Sequence, residues 1–540
     1  MDKRTVLAVV LSLAILMGYQ FYVAKTQPPR TTEVVNQEAV TEIVKGDESP
    51  AEIDAGAAPL YQKSLRKKGE NKGEGNDISI ETPLYYATFS TRGAALQSFA
   101  LKDYRQNIKK DSALIELINV QEDMDYPLTV SFPNSSIDIP TDVVYEADRE
   151  TVDITMSEGS KSLAFSWSYP GEIEIVKTYT FQPEKYTFDL EVKVRNLSDH
   201  ALRENALLTW NRYIDPEEKT DRYSHEGPVS YVKDDFNTEK VKKLDEKKFF
   251  GPDVSWGGFE SKYFLAAMIP EQPSLTGLVI SKDARELVST SLEGPKLVIP
   301  SNQSGVFRYI LYLGPKDYDL LKAENVGLEN AINYGSWIKW LSIPLMTVLK
   351  FIYQYVHNYG IAIIILTTLV KLLFWPLGNI SYKSMREMQK LQPQMTKLRE
   401  KFPDDKARLQ QETMALYKVH KVNPMGGCLP MVIQIPVFFG LYRALLYSIE
   451  LRHSEFFFWI QDLSAKDPYY ITPIIMGATM FLQQKMSPTP GGNEMQAKMM
   501  MWMPVVFTFL FLNFPSGLVI YWLFNNILSI GQQYYINKRT

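Results

Sequence analysis

The sequence predicts a multi-domain membrane protein. Its parts are an α-helical polytopic bundle of six transmembrane helices, with both termini in the cytoplasm, and a periplasmic antiparallel β-sandwich domain. Three observations carry that expectation. An apolar run of about 20 residues, long enough to span a bilayer, follows Lys3 and Arg4 in "MDKRTVLAVVLSLAILMGYQFYVAK". Between about Ile78 and Gly314 the hydrophobic pattern has a period of two, as half-buried strands require. From 337 to 536 the chain is dominated by apolar runs rich in Met, Phe and Trp. The whole-chain figures, 45% hydrophobic and a net charge of −4, average over this asymmetry and conceal it.

The first run reads as an uncleaved anchor over 1–25. A cleaved signal peptide has a shorter core followed by a small-residue site, whereas bulky "YQFYV" fills the end of this one. Residues 26–76 are rich in Pro, Gly, Glu and Lys and have little to bury, so they read as a disordered periplasmic linker. The sandwich domain is expected over 77–325. Within "YTFDLEVKV", Tyr186, Phe188, Leu190, Val192 and Val194 fall on one face, with a turn at Gln182–Lys185 before them. No catalytic constellation is visible there, and no enzyme activity is expected.

An interfacial amphipathic helix is expected over 326–355, anchored in the headgroup layer by Trp337 and Trp340. A five-helix core over 356–540 follows, with spans near 356–377, 424–447, 470–486, 499–514 and 517–536. The "NFPSG" turn makes the last two an antiparallel hairpin. Orientation comes from basic residues in short loops. Residues 381–421 hold ten Lys/Arg against five Asp/Glu, which places them in the cytoplasm. There, Met385, Met388, Leu391, Met395, Leu398 and Phe402 recur every three or four residues. Pro403 then breaks the run, so a basic helical hairpin is expected. The single cysteine, Cys428, excludes internal disulfides and Cys-based zinc sites. The five histidines lack metal-ligand spacing, so no metal or cofactor is expected.

Polar residues inside the apolar spans are the candidate site. Lys371 interrupts "IAIIILTTLVKLLFWP", with Thr367 one turn away on the same face. Gln434 lies inside "LPMVIQIPVFFG". Trp522, Asn526, Ser529 and Gln533 form a stripe on the last span. An ionisable group in a membrane span is a functional hypothesis by default, although Lys371 is also placed to snorkel to the cytoplasmic headgroups.

The segments "KVNPMGGCLPMVIQIPVFFGLYRAL", "DLSAKDPYYITPIIMGATMFLQQKMSP" and "FPSGLVIYWLFNN" resemble the insertase core of the YidC/Oxa/Alb family. The anchor with a large β domain resembles the Gram-negative branch of that family. This resemblance implies a membrane insertase and chaperone with a hydrophilic groove open to the cytoplasm. Its groove charge, commonly arginine, falls at Lys371, and its groove aromatic at Trp522. The implied partners are nascent membrane protein clients, the lipid bilayer, the Sec translocon, the ribosome and the signal recognition machinery. The short tail "NKRT" argues against tail-mediated ribosome binding. In this reading Met385, Met388, Leu391 and Met395 on the hairpin, with Met486 and Met499, capture clients. The other methionines near the entrance, Met425, Met431, Met495 and Met500, offer similar adaptable contact, and ordinary core filling remains open for all of these entrance methionines. The competing class is a secondary transporter of a small solute, which would favour inverted repeats and several midplane charges.

Overall fold

Alternating strands and long apolar helices separate into two units in a computed structural model of the chain. It describes residues 63–64, 75–121, 124–133, 137–154, 159–217, 225–335, 337–403, 405–420, 422, 429–486 and 494–539. The expected anchor, and all of the expected linker except 63–64 and 75–76, lie outside the described residues. The first unit takes in Leu114–Gly314, Glu324–Leu328 and the described residues up to Tyr104. The second holds Arg105–Ala113, Pro315–Ala323 and the chain from Glu329 onward.

The first unit is built on a nine-stranded sheet with two five-stranded sheets against one face. Its central strands are Ile173–Phe181 and Thr187–Asn196, paired antiparallel so that Phe181 faces Phe188, Tyr179 faces Leu190 and Lys177 faces Val192. Phe188, Leu190, Val192 and Val194 are fully buried and Tyr186 nearly so, as the alternation predicts. Phe89 of one covering sheet packs on Phe165, Tyr179 and Phe181. Phe132, beside the other, meets Phe307. The result is a β-sandwich.

Lys177 is the exception in that core. It occupies an inward position of a strand whose other inward residues are Ile173, Ile175, Tyr179 and Phe181, and it is 1% exposed. Its Nζ donates to the Gly93 carbonyl at 2.6 Å and lies 5.2 Å from the Tyr145 ring centre. Burial pushes its pKa down to about 7. Gly93 (φ +71) and Ala94 (φ +46) turn the chain in the left-handed region to present that carbonyl.

The second unit is helical. Its helices are α1 (Tyr318–Ala323), α2 (Lys339–Val356), α3 (Tyr359–Leu373), α4 (Trp375–Lys390), α5 (Gln392–Lys401), α6 (Lys406–Val419), α7 (Leu429–Tyr447), α8 (Ile471–Met486), α9 (Glu494–Phe511) and α10 (Ser516–Arg539). The amphipathic helix expected from 326 begins only at Lys339. A 3-10 turn at Leu328–Ala331 and Gly335, at φ +80, keep the preceding chain out of it. α2 ends where His357 turns left-handed, and Asn358 then caps α3 by accepting from the Ile361 N–H.

The second span is expected over 356–377 but is broken. Pro376 has no N–H to give and its ring clashes with the carbonyl four residues back. α3 therefore stops at Leu373, and α4 restarts at an angle of 65° and runs on into the hairpin. Among the described residues no single helix is long and apolar enough to cross a membrane, while this bent pair is by length and composition.

α10 packs on α3 and α8 and also touches α4 and α7. The last two helices are joined by the tight turn the sequence predicts, but α8 is the main neighbour of each. Gly477 explains the seat of α9 on α8: a Cβ there would lie 2.0 Å from Thr508 Oγ1. The turn itself is pinned, with Ser516 N–H donating to Ala465 O and Gly517 N–H to Leu463 O.

Candidate functional site

α10 collects polar partners from three neighbouring helices. Lys371, on the last turn of α3, donates from Nζ to Ser529 Oγ at 2.6 Å. The Ser529 hydroxyl gives its own proton to the Asn525 carbonyl at 2.7 Å, which leaves its lone pairs for the ammonium. No carboxylate of the described residues forms an ion pair with Lys371. Asn526 reaches Thr479 on α8 through a long 3.4 Å contact, and Gln434 on α7 donates to the Tyr521 hydroxyl at 2.9 Å. Gln533 donates to the Met486 carbonyl at 2.8 Å.

The expected convergence of the second, third and last spans is therefore present, although its members meet pairwise. One correction concerns Thr367, which is buried and spends its hydroxyl on the Ile363 carbonyl of its own helix at 2.6 Å. It shares a face with Lys371 without joining the network. The sequence reading does not find Thr479, Tyr521, Gln532 and its partner Asn379, or Tyr382, whose side chain hydrogen-bonds with Ser529. The signal for Gln532 was available as an amide three residues beyond Ser529, but a narrow stripe excluded it.

Trp522 closes one end of this region. Its ring lies 4.6 Å from Phe438, edge-on, and 5.2 and 6.0 Å from Phe511 and Phe507. Its Nε1 is buried without a partner among the described residues. Such aromatic pairs each add about 0.5–1.5 kcal/mol beyond area burial, so the wall is stiff.

The hairpin corrects a second expectation. Leu391 and Met395 are buried together with Tyr417 on α6, and Met388 and Leu416 pack against them. The regular Met/Leu face closes the hairpin on itself, so Leu391 and Met395 are not displayed for capture. Met385 and Met486 are half-buried. Met425 lies outside the described residues, as do the side chains of Met431, Met495, Met499 and Met500. Trp337 and Trp340 stand exposed at the start of α2, with Trp337 6.0 Å from the Phe439 ring.

Two polar clusters fix the opposite end of the helical unit. Lys350 of α2 bridges Asp317, Asp319 and Glu450 at 3.2, 2.6 and 3.0 Å. Burial pulls its pKa down, but Glu450, Asp319 and Asp317 outweigh that and hold the ammonium well above its ordinary range. Asp467 precedes α8. Its carboxylate accepts from the Thr472 N–H and hydroxyl, both at 2.7 Å, from the Tyr469 N–H, and from Trp459 Nε1 at 3.0 Å. Burial pushes its pKa up, and these donors more than reverse that, leaving it below the usual carboxylate range.

Comparison with known proteins matches two family descriptions to the chain, "60Kd inner membrane protein" over residues 351–540 and "YidC periplasmic domain" over 77–348. A protein of Syntrophus aciditrophicus named Membrane protein insertase YidC is 61% identical over 547 residues, covering 100% of both chains. One of the same name from Geobacter metallireducens is 44% identical, covering 100% of this chain and 98% of its own. A solved structure described as an active YidC insertase with its first transmembrane domain resolved aligns at 20% identity. Its TM-score is 0.37, over 85% of this chain and 92% of that one.

Proposed function

This chain belongs to the YidC family of membrane protein insertases, and from that premise we propose that it carries nascent membrane proteins into the inner membrane along a polar groove centred on Lys371. The observation that carries this reading is a cation among apolar helices whose partner is a neutral hydroxyl. A hydroxyl holds the ammonium in place without cancelling its charge. An acidic or polar segment of a client displaces Ser529 at little cost and gains a charge-assisted hydrogen bond. The client's apolar span meanwhile leaves along the outer faces of the bundle. Leu369 and Leu372 on α3, Ile474 and Phe481 on α8, and Val506 and Phe509 on α9 are all exposed there. Exposed apolar surface of that extent is rare in soluble monomers and suits hydrocarbon.

In this reading the chain is multi-pass, with six spans, the hairpin and both termini in the cytoplasm, and the β domain in the periplasm. α3 and α4 form one span bent where it meets the cytoplasmic interface. Trp337 and Trp340 set the depth of α2 in the outer leaflet. Met385 and Met486 remain as adaptable contacts for an emerging client, and the Sec translocon, ribosome and signal recognition machinery are partners in supply. No bond is made or broken, so the energy comes from moving apolar client residues into lipid, about 0.3–0.6 kcal/mol for each favourable residue.

The test is insertion of a small single-span client in cells depleted of the native protein, read by protease protection. Unit charges about 6 Å apart at an effective dielectric of about 20 attract by roughly 3 kcal/mol. Losing half of that is about tenfold in rate. Lys371→Ala should slow clients with acidic translocated segments by that order, and Lys371→Arg should retain insertion. Normal insertion of every client by the alanine variant would reduce Lys371 to a snorkelling side chain.

A further inference from the structure

Gln532 lies one turn past Ser529 on α10, on the side facing α4, and is 2% exposed. Its Nε2 donates to the Trp375 carbonyl and to Asn379 Oδ1, both at 3.1 Å. Trp375 and Asn379 belong to the first turns of α4, just beyond the break, and Lys371 belongs to the last turn of α3, just before it. α10 therefore grips the chain on both sides of one bend. Ser529 takes Lys371 on the near side, and Gln532 takes Trp375 and Asn379 on the far side.

Two further features fit that grip. Gly378 leaves room for the amide: a Cβ there would stand 2.6 Å from Gln532 Nε2. One turn further along α10, the Tyr535 ring lies 6.3 Å from the ring of Trp375. A break in a helix frees backbone groups that need new partners. Here the Trp375 carbonyl, in the first turn after the break, also accepts from Gln532 on α10, which ties the restarted helix to its neighbour.

We propose that Gln532 is a positioning residue that fixes the angle between α3 and α4, and so couples the direction of the cytoplasmic hairpin to the placement of Lys371 against Ser529. α4 leads directly into α5 and α6, so a change of bend angle swings the hairpin. The same change pulls on the turn that carries Lys371. A client pressing on the hairpin would thus be felt at the groove through two hydrogen bonds and one ring contact. The coupling rests on the insertase reading, whereas the brace itself does not.

The experiment uses the full chain in lipid nanodiscs with Cys428→Ser. Spin labels at Lys397→Cys on the hairpin and Tyr534→Cys on α10, both at exposed positions, report the distance between them. With Gln532 intact a single narrow distribution is expected. Gln532→Leu keeps the size but removes the donor, and should raise the population outside the main distance on the order of tenfold, the change one net hydrogen bond supplies. Gly378→Ala, whose methyl group displaces the amide while the glutamine remains, should do the same. The two changes combined should be no worse than Gln532→Leu alone, because both act through one contact. In the insertion assay each variant should slow clients that engage the hairpin while leaving the amount of chain in the membrane unchanged. An unchanged distance distribution in both single variants overturns the brace, and a broadened one with normal insertion overturns the coupling. The distance measurement needs no client, so it judges the brace independently of insertase activity.

Discussion

Replacing Lys177 by methionine should stabilise the β unit, although it removes a hydrogen bond. The amine is buried and its pKa is about 7, against an ordinary value of 10.5. In the unfolded chain it returns to that ordinary value. Between about pH 7 and 10.5 the unfolded state therefore binds more protons than the folded one, and stability rises with pH across that window. The difference, about 3.5 units at 1.36 kcal/mol each, makes the lysine cost roughly 4 kcal/mol near pH 7 and about half as much near pH 9. Methionine fits the same unbranched volume, removes the charge, and gives up about 1 kcal/mol by leaving the Gly93 carbonyl without its donor. The net expectation is a gain of about 3 kcal/mol at neutral pH that shrinks as pH rises. Hydrogen exchange of the full chain, read on peptides spanning Ile173–Phe181 and Tyr85–Ser90, measures it through slowed exchange after correction for intrinsic rates. A variant less protected than the parent at pH 7, or one with the same pH slope, would refute the reasoning, because the lysine would then be hydrated or paired in the folded state.

Two further predictions concern the helical unit. Asp467→Asn removes a carboxylate whose pKa is depressed below 3.8, so the stability it adds is present above that value and lost as pH falls through the folded pKa. The variant should melt at lower temperature at neutral pH, and the gap should close in acid; a gap independent of pH would mean that only shape was lost. Met395→Ala should loosen the hairpin by about 2–3 kcal/mol, as core truncations do, and speed proteolysis within α5 and α6 without altering α10. If crosslinks from position 395 instead capture nascent chains in the intact hairpin, that face opens to clients and its burial against Tyr417 is transient.

What the sequence made legible follows from how each signal is encoded. The strand 187–196 announced its buried face because a period of two fixes orientation regardless of what covers it. The stripe at Trp522, Asn526, Ser529 and Gln533 was visible because steps of four, three and four keep to one face of a helix, whatever covers it. Gln532 was not, because a stripe assumes one neighbour, whereas α10 has α4 on one flank and α8 on the other and buries two adjacent glutamines. The hairpin's Met/Leu face was also plain, but periodicity shows that a face is apolar and not what lies on it. Tyr417, which closes over Leu391 and Met395, belongs to the next helix. Lys350 gave no signal, since its carboxylates come from positions 317, 319 and 450. Pro376 lies inside the second span expected over 356–377, and the 65° bend there was not legible, because an apolar run shows where a span lies and not whether one helix carries all of it.

The hydroxyl partner of Lys371 has a consequence for what the proposed groove would recognise. A lysine locked to a carboxylate would present a dipole, whose reach is short and whose direction matters, so it would read shape. An ammonium resting on a neutral oxygen presents a monopole, and its potential falls off slowly and in all directions. Such a site has almost no vocabulary: it distinguishes the sign of what approaches and little else. That poverty suits a protein whose cargo shares no common sequence. A receptor that demanded a motif would constrain every membrane protein passing through it, whereas a bare field leaves their sequences free to evolve and imposes a rule only on their charge.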